Sequence, residues 1–273
     1  MSGMEELYRN IDEKNRLVSS RAGNLEFWTS MRVLERHVRP GSDILETGSG
    51  SGRYASAFAK LGHRVTATDI VPAHLPAIRA LAAGEGAELA GVELRDAVDL
   101  SAYADGSFDV VLCLGPYYHL RTRAERAACL SESRRVLVKD GILALAYVNR
   151  AFAVINYVRN GIFFDSGLYR DLLAPDHAFR SGRDAFLDRS FLASPEDVVA
   201  ETGAAGFVTL DHAGTDGMAG LVSRQLEAMG EAEWEAFREH HLATCRNPST
   251  LGASSHGLVV CARSRAPDRD CGG

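Results

Sequence analysis

The stretch that most constrains the fold is DILETGSGSGRYA, residues 43–55. A hydrophobic run ends at an acid, Glu46. Gly48, Gly50 and Gly52 follow at alternate positions, and the pattern then turns helical. A glycine loop between a strand and a helix lets backbone approach a ligand and aims the first amides of the helix at it. The dinucleotide pattern G-x-G-x-x-G is not met, because Arg53 follows Gly52. A carboxylate at the mouth of such a loop would repel a pyrophosphate, whereas beside a ligand carrying an ammonium and a sulfonium the same charge is favourable. The other reading of Glu46 is a brace for the loop through backbone amides, and the two roles are compatible.

The loop starts a regular alternation. Strands are expected at 43–47, 64–70 and 142–149, a third strand with its exit loop over 91–98 and a fourth held within 107–119, and helices at 54–62, 74–86 and 123–141, the last ending at a Lys-Asp-Gly turn. Strand and helix alternating at this spacing mean a parallel, doubly wound sheet. Near residue 150 the rhythm breaks. Eight of the chain's 21 aromatic residues fall between 151 and 193, which reads as an inserted helical cap. SPEDVVAETGAAGF (194–207) has an N-cap serine, proline at the first helical position and early acids. VTLDHAG (208–214) and HGLVVCARS (256–264) then read as an antiparallel hairpin closing the sheet, separated by a helical segment. The division expected is an N-terminal helical arm at 1–38, a ligand-binding core at 39–150, the cap at 151–193, completion of the core sheet at 194–264 and a disordered tail at 265–273.

The second strand ends at Asp69, an acid placed to accept from both hydroxyls of a ribose, and the third at Asp96-Ala97, placed to meet an adenine edge. All three acids sit at carboxyl ends of strands, where open α/β sheets bind ligands. Taken in order, ILETGSGSGRYA, VTATDI, LRDAVDL and FDVVLCLGPYYHL resemble the class I S-adenosylmethionine-dependent methyltransferases over roughly residues 40–150, and the closing hairpin fits the same pattern. The flanks look like a bacterial subgroup of small methyltransferases. The resemblance implies a Rossmann-like seven-stranded sheet, parallel with a C-terminal antiparallel hairpin. It implies S-adenosyl-L-methionine as cofactor, with S-adenosyl-L-homocysteine as product. Backbone around Gly48, Ser49 and Gly50 would face the methionine part, Asp69 and Ile70 the ribose, and Asp96 and Ala97 the adenine. Leu114 and Gly115 would floor the pocket beside the methyl group. Tyr8 and Arg16, in the arm, would fold over the cofactor. Tyr117, Tyr118 and His119 are the catalytic candidates, each with packing as the competing reading. One departure matters. Families that methylate exocyclic or amide nitrogens often carry Asn/Asp-Pro-Pro-Tyr/Phe after the fourth strand, and here Leu114-Gly115-Pro116-Tyr117-Tyr118 lacks the leading carboxamide or acid.

A formal net charge of -6 without a basic run argues against a nucleic-acid substrate. The five cysteines are scattered and odd in number, which is no disulfide framework. His240, His241 and Cys245 lack the spacing of a zinc site, so no metal is expected. The polar start of the chain is no signal peptide, and no apolar run reaches the ~20 residues that span a bilayer, so a cytoplasmic location and no membrane partner are expected. The function expected is methyl transfer to a small or medium-sized organic acceptor, plausibly of specialised metabolism. The alternatives are a protein that binds S-adenosylmethionine, or a non-methylating enzyme, using the same pocket, and behind these an NAD-dependent oxidoreductase.

Overall fold

Near-continuous apolar runs, buried on both faces, make the central strands of a layered α/β sheet. A computed structural model describes residues 16–159, 161, 168–173 and 189–264, and in it this pattern is realised in seven strands. They are β1 (Asp43–Thr47), β2 (Arg64–Asp69), β3 (Gly91–Leu94), β4 (Phe108–Cys113), β5 (Leu137–Val148), β6 (Phe207–Gly214) and β7 (His256–Arg263), in the order β3-β2-β1-β4-β5-β7-β6. β1 to β5 pair in parallel, while β7 runs antiparallel to both β5 and β6. The expected sheet and its closing hairpin are therefore present.

Residues of opposite parity feed opposite cores. Ile44, Val65, Val110, Leu112, Leu258 and Val260 pack on one face with α1 (Arg21–Leu34), α2 (Arg53–Lys60) and α3 (His74–Gly84). Leu45, Val111, Leu143, Leu145 and Val259 pack on the other with α4 (Arg123–Val136) and α7 (Pro195–Ala204). Between them in the chain lie α5 (Arg150–Arg159) and α6 (Leu168–Leu173), and α8 (Ser223–Ala228), α9 (Glu231–Thr244) and α10 (Pro248–Ala253) connect β6 to β7. Within 151–193, residues 151–159 and 168–173 are helical, while 190–193 are not and Ala193 bridges to Asn149. Tyr8, the remainder of the arm before residue 16, most of 160–188 and the tail from 265 lie outside the described residues.

One local expectation changes. The Lys139-Asp140-Gly141 turn does not end a helix; it interrupts a strand. α4 stops at Val136, Leu137 pairs with Phe108, and pairing resumes at Ile142 with Val110. Asp140 takes the left-handed region at φ 63, which an aspartate tolerates, and a Cβ on Gly141 would lie 2.9 Å from the Val138 carbonyl oxygen. The start of α4 is exposed over residues 121–125. Thr122 and Glu125 form a capping box, but Arg126 is buried against Glu201 of α7. The other cap read from sequence holds: the Ser194 hydroxyl accepts the Asp197 amide, and the Asp197 carboxylate accepts that of Ser194.

Candidate active site

The order of the strands reverses between β1 and β4, so their exit loops diverge and leave a crevice at the carboxyl edge. The glycine loop lies on one side of it. Gly48, Gly50 and Gly52 all have positive φ, at 64, 56 and 83. The Ser49 amide donates to the Thr68 carbonyl, which ties the loop to β2. A Cβ on Gly48 would fall 2.6 Å from Cγ of Pro116, and one on Gly115 would fall 3.2 Å from the Gly48 carbonyl oxygen. The two exit loops thus touch through glycine, and no larger residue fits there.

Glu46, the fourth residue of β1, is 2% exposed, and its Oε2 is buried without a hydrogen-bond partner. Burial pushes its carboxyl up to about 8, against smaller opposing effects of hydrogen bonds from Ser49 and Ala55. Asp69, at the end of β2, is braced instead. Its Oδ2 accepts the Gly50 amide and its Oδ1 the Val71 amide, both at 2.8 Å, and Nδ1 of His74 lies 3.1 Å from Oδ2. Asp96 accepts the Val98 amide at 3.1 Å.

These groups surround one cavity of about 270 Å³. Arg16, Glu46, Gly48, Ser49, Gly50, Asp69, Ile70, Asp96, Ala97, Leu114, Gly115, Tyr118 and His119 all line it. Residues far apart in sequence are therefore gathered around one cavity. Tyr117 is the correction. It is fully buried in the core on the α4/α7 face, where its hydroxyl donates to Glu201 Oε2 at 2.7 Å and its ring meets Phe191. The turn Pro116–His119 is a 3-10 helix, which sends neighbouring side chains in different directions, so Tyr117 and Tyr118 cannot both face the crevice. His119 has its Nδ1 3.3 Å from the Arg189 carbonyl oxygen. A carbonyl only accepts, so Nδ1 carries the hydrogen and Nε2 the lone pair. Burial drops this imidazole to about 4.

The cavity also has walls that sequence reading missed, among them Leu17, Tyr54, His74, Arg95, Pro116 and Leu120. Tyr54 and His74 had a signal, since each lies in the first turn of the helix that follows a strand ending in a candidate acid. The aromatic residues of the expected cap contribute less than expected. Tyr157 and Phe191 are buried in packing, and none of the described ones lines the cavity.

Residues 45–145 match the family model of a methyltransferase domain. Over that segment the chain is similar to S-adenosylmethionine-dependent methyltransferases. A ubiquinone biosynthesis O-methyltransferase of Xanthomonas campestris is 29% identical over 150 residues, which are 52% of this chain and 61% of that one. A ribosomal protein L11 methyltransferase of Thermus thermophilus is 35% identical over 118 residues, 42% of each chain. The solved structure of a Pyrococcus horikoshii protein superposes with a TM-score of 0.62 at 14% identity, covering 95% of this chain and 99% of that one, which shows a shared fold. The chain thus spans about three fifths of the curated ubiquinone relative. The similar part is the methyltransferase core, and the arm, residues 151–193 and the connection from β6 to β7 lie beyond the matched domain. No helix among the described residues is long and apolar enough to cross a membrane.

Proposed function

We propose that this methyltransferase fold moves a methyl group from S-adenosylmethionine to a small or medium-sized organic acceptor. The observation that carries the reading is Glu46. A buried carboxyl with an oxygen left unpartnered costs free energy, about 1–3 kcal/mol or more for a charged group, and a cationic ligand in the cavity would offset it. The donor set fits such a ligand. Glu46 is placed for an ammonium, the positive-φ backbone of Gly48 and Gly50 leaves room for the methionine part, and Asp69 and Asp96 stand at successive strand ends for ribose and adenine. Oδ1 of Asp69 keeps a second lone pair beyond its bond from the Val71 amide, which a ribose hydroxyl could fill.

When bound, the sulfonium supplies an already activated methyl group. The chain's own part is to orient the acceptor in line and to exclude water, and orientation alone can lower a barrier by roughly 7–11 kcal/mol. Leu114, Gly115 and Tyr118 would floor and flank the reacting end. His119 stays neutral at physiological pH, but a group held at about 4 is a weak proton acceptor and suits positioning better than catalysis. The acidic balance of the chain favours a small acceptor over a nucleic acid.

Calorimetry with S-adenosylhomocysteine and with NAD tests the pocket, and transfer of labelled methyl to candidate acceptors tests the reaction. Binding of S-adenosylhomocysteine in the micromolar range, with none for NAD, is expected. Binding of NAD alone would overturn the reading.

A further inference from the structure

A second cavity, of about 380 Å³, opens behind the first at the same edge of the sheet. Arg16 and Tyr118 line both, so the two share a wall. The far side of the second cavity is built from the strand ends of the closing hairpin. Val148 ends β5, its register partner His256 begins the antiparallel β7, and Asp216 lies two residues past the end of β6. Glu26 reaches the same place from α1.

His256 is held in one orientation. Its Nδ1 lies 2.9 Å from Oδ2 of Asp216 and 3.5 Å from Oε2 of Glu26. Asp216 is buried and saturated on its other oxygen, which accepts the Ser254 hydroxyl at 2.5 Å and the His256 amide at 3.1 Å. A carboxylate partner keeps the hydrogen on Nδ1, so the nitrogen that gains and loses a proton is Nε2. Oriented imidazole with a buried carboxylate behind it is the general-base arrangement.

Resting on the methyltransferase reading above, we propose that this second cavity seats a phenolic acceptor, and that His256, positioned by Asp216, is the base that takes the phenol's proton. The acceptor's O–H bond breaks and its proton passes to Nε2. The oxygen's electron pair forms the new bond to the methyl carbon. The pair of the broken carbon–sulfur bond stays on sulfur as a neutral thioether, and the imidazolium later returns its proton to solvent.

The charges around His256 favour this role. Burial alone lowers an imidazole, but Glu26 and Asp216 outweigh it and hold His256 above its ordinary value, with Arg16 opposing them. A phenol loses its proton near pH 10, within reach of such a base, whereas a carboxylate acceptor needs none. The same three side chains, Glu26, Asp216 and His256, have ligand atoms within 4.8 Å of one another, as a metal site would. Arg16 argues against that use, because its Nη1 lies 2.7 Å from Glu26 Oε2 and would be crowded by a dication.

The test uses the full chain, labelled S-adenosylmethionine, catechol and phenol as acceptors, and benzoate as the acceptor that needs no base. Label should move to a phenol, with kcat/KM rising with pH along one limb to a plateau. His256→Gln should lower kcat by about a hundredfold or more while S-adenosylhomocysteine affinity stays within about threefold, which also shows that the variant folds. Asp216→Asn, which removes the anion but keeps the shape, should move the pH limb to lower pH. Three results would overturn the assignment: label reaching no phenol although S-adenosylhomocysteine binds, His256→Gln keeping more than about a third of kcat, or activity abolished by a chelator and restored by a divalent ion. Failure of S-adenosylhomocysteine to bind would instead remove the methyltransferase reading itself, and this assignment with it.

Discussion

Two acids on neighbouring strands do different work. Glu46 is buried with its carboxyl raised to about 8, so between its ordinary value of 4.5 and about 8 the folded chain holds a proton that the unfolded chain releases. Its contribution to stability therefore falls as pH rises through that window. Ligand binding runs the other way. An ammonium needs the carboxylate, so affinity for S-adenosylhomocysteine should rise with pH by up to about tenfold per unit below 8 and then level off, with protons released on binding. Calorimetry in buffers of different ionisation enthalpy measures both, and Glu46→Gln should flatten the profile; an unchanged profile would mean that Glu46 never meets the cation. Asp69 is braced rather than orphaned, so Asp69→Ala does more than remove a ligand contact. It strips partners from the Gly50 and Val71 amides, at about 1.5–3 kcal/mol for a hydrogen bond to a charged group. Weaker S-adenosylhomocysteine binding, by at least about tenfold, and a lower Tm should appear together.

At the scale of elements, the fold is joined by contacts that local pattern does not announce. Arg126 of α4 donates from Nε and Nη2 to the two carboxylate oxygens of Glu201 in α7, each at 2.8 Å, and lies 3.5 Å over the Phe191 ring. Burial alone raises the Glu201 carboxyl, but bonds from Arg126 and Tyr117 hold it below its ordinary value. The pair's stabilisation is therefore full above the ordinary carboxylate value and lost as pH falls through the folded one. Removing one partner of a buried pair costs about 3–5 kcal/mol, and the part-exposed Glu201 places Glu201→Gln at the low end, about 3 kcal/mol. Denaturant melts should show that loss with S-adenosylhomocysteine affinity within about threefold, since neither Arg126 nor Glu201 lines the cavity. Gly48→Ala should separate the other way. Left-handed backbone costs an alanine about 1–2 kcal/mol, and the new Cβ meets Pro116 across the floor of the cavity, so ligand affinity should fall more than stability.

For the whole molecule, a ligand that binds only the native state raises stability by about 2.7 kcal/mol at a hundredfold excess over Kd. A chain of 273 residues should then melt about 5 °C higher with S-adenosylhomocysteine, and scanning calorimetry reads this directly. No shift at saturating ligand would contradict the proposed pocket. The cavity joins the ends of β1, β2, β3 and β4 to the segment before α1, and the second cavity adds β5, β6 and β7, so the two cavities together run along the carboxyl edge of the sheet.

The alternation of strand and helix was legible in the chain itself. Hydrophobic period, glycine stops and N-cap residues are local signals, and β1 falls on 43–47 as the pattern requires. The proposed cofactor side of the crevice was legible for the same reason: Glu46, Asp69 and Asp96 each lie at or just past the carboxyl end of a strand, and parallel strands put all such ends on one edge. Local pattern could not decide which way Tyr117 points, because two adjacent aromatics in a 3-10 turn look alike until the core claims one of them. Nor could it give Arg126 its partner, 75 residues away, or recognise Asp140 as a turn inside a strand. His256, Asp216 and Glu26 carry no motif at all. Spread over 230 residues of chain, they meet only because β7 reverses direction and brings its first residue to the edge where the parallel strands end. Sequence determined what each strand end offers, and only the tertiary pairing decided which ends face one another.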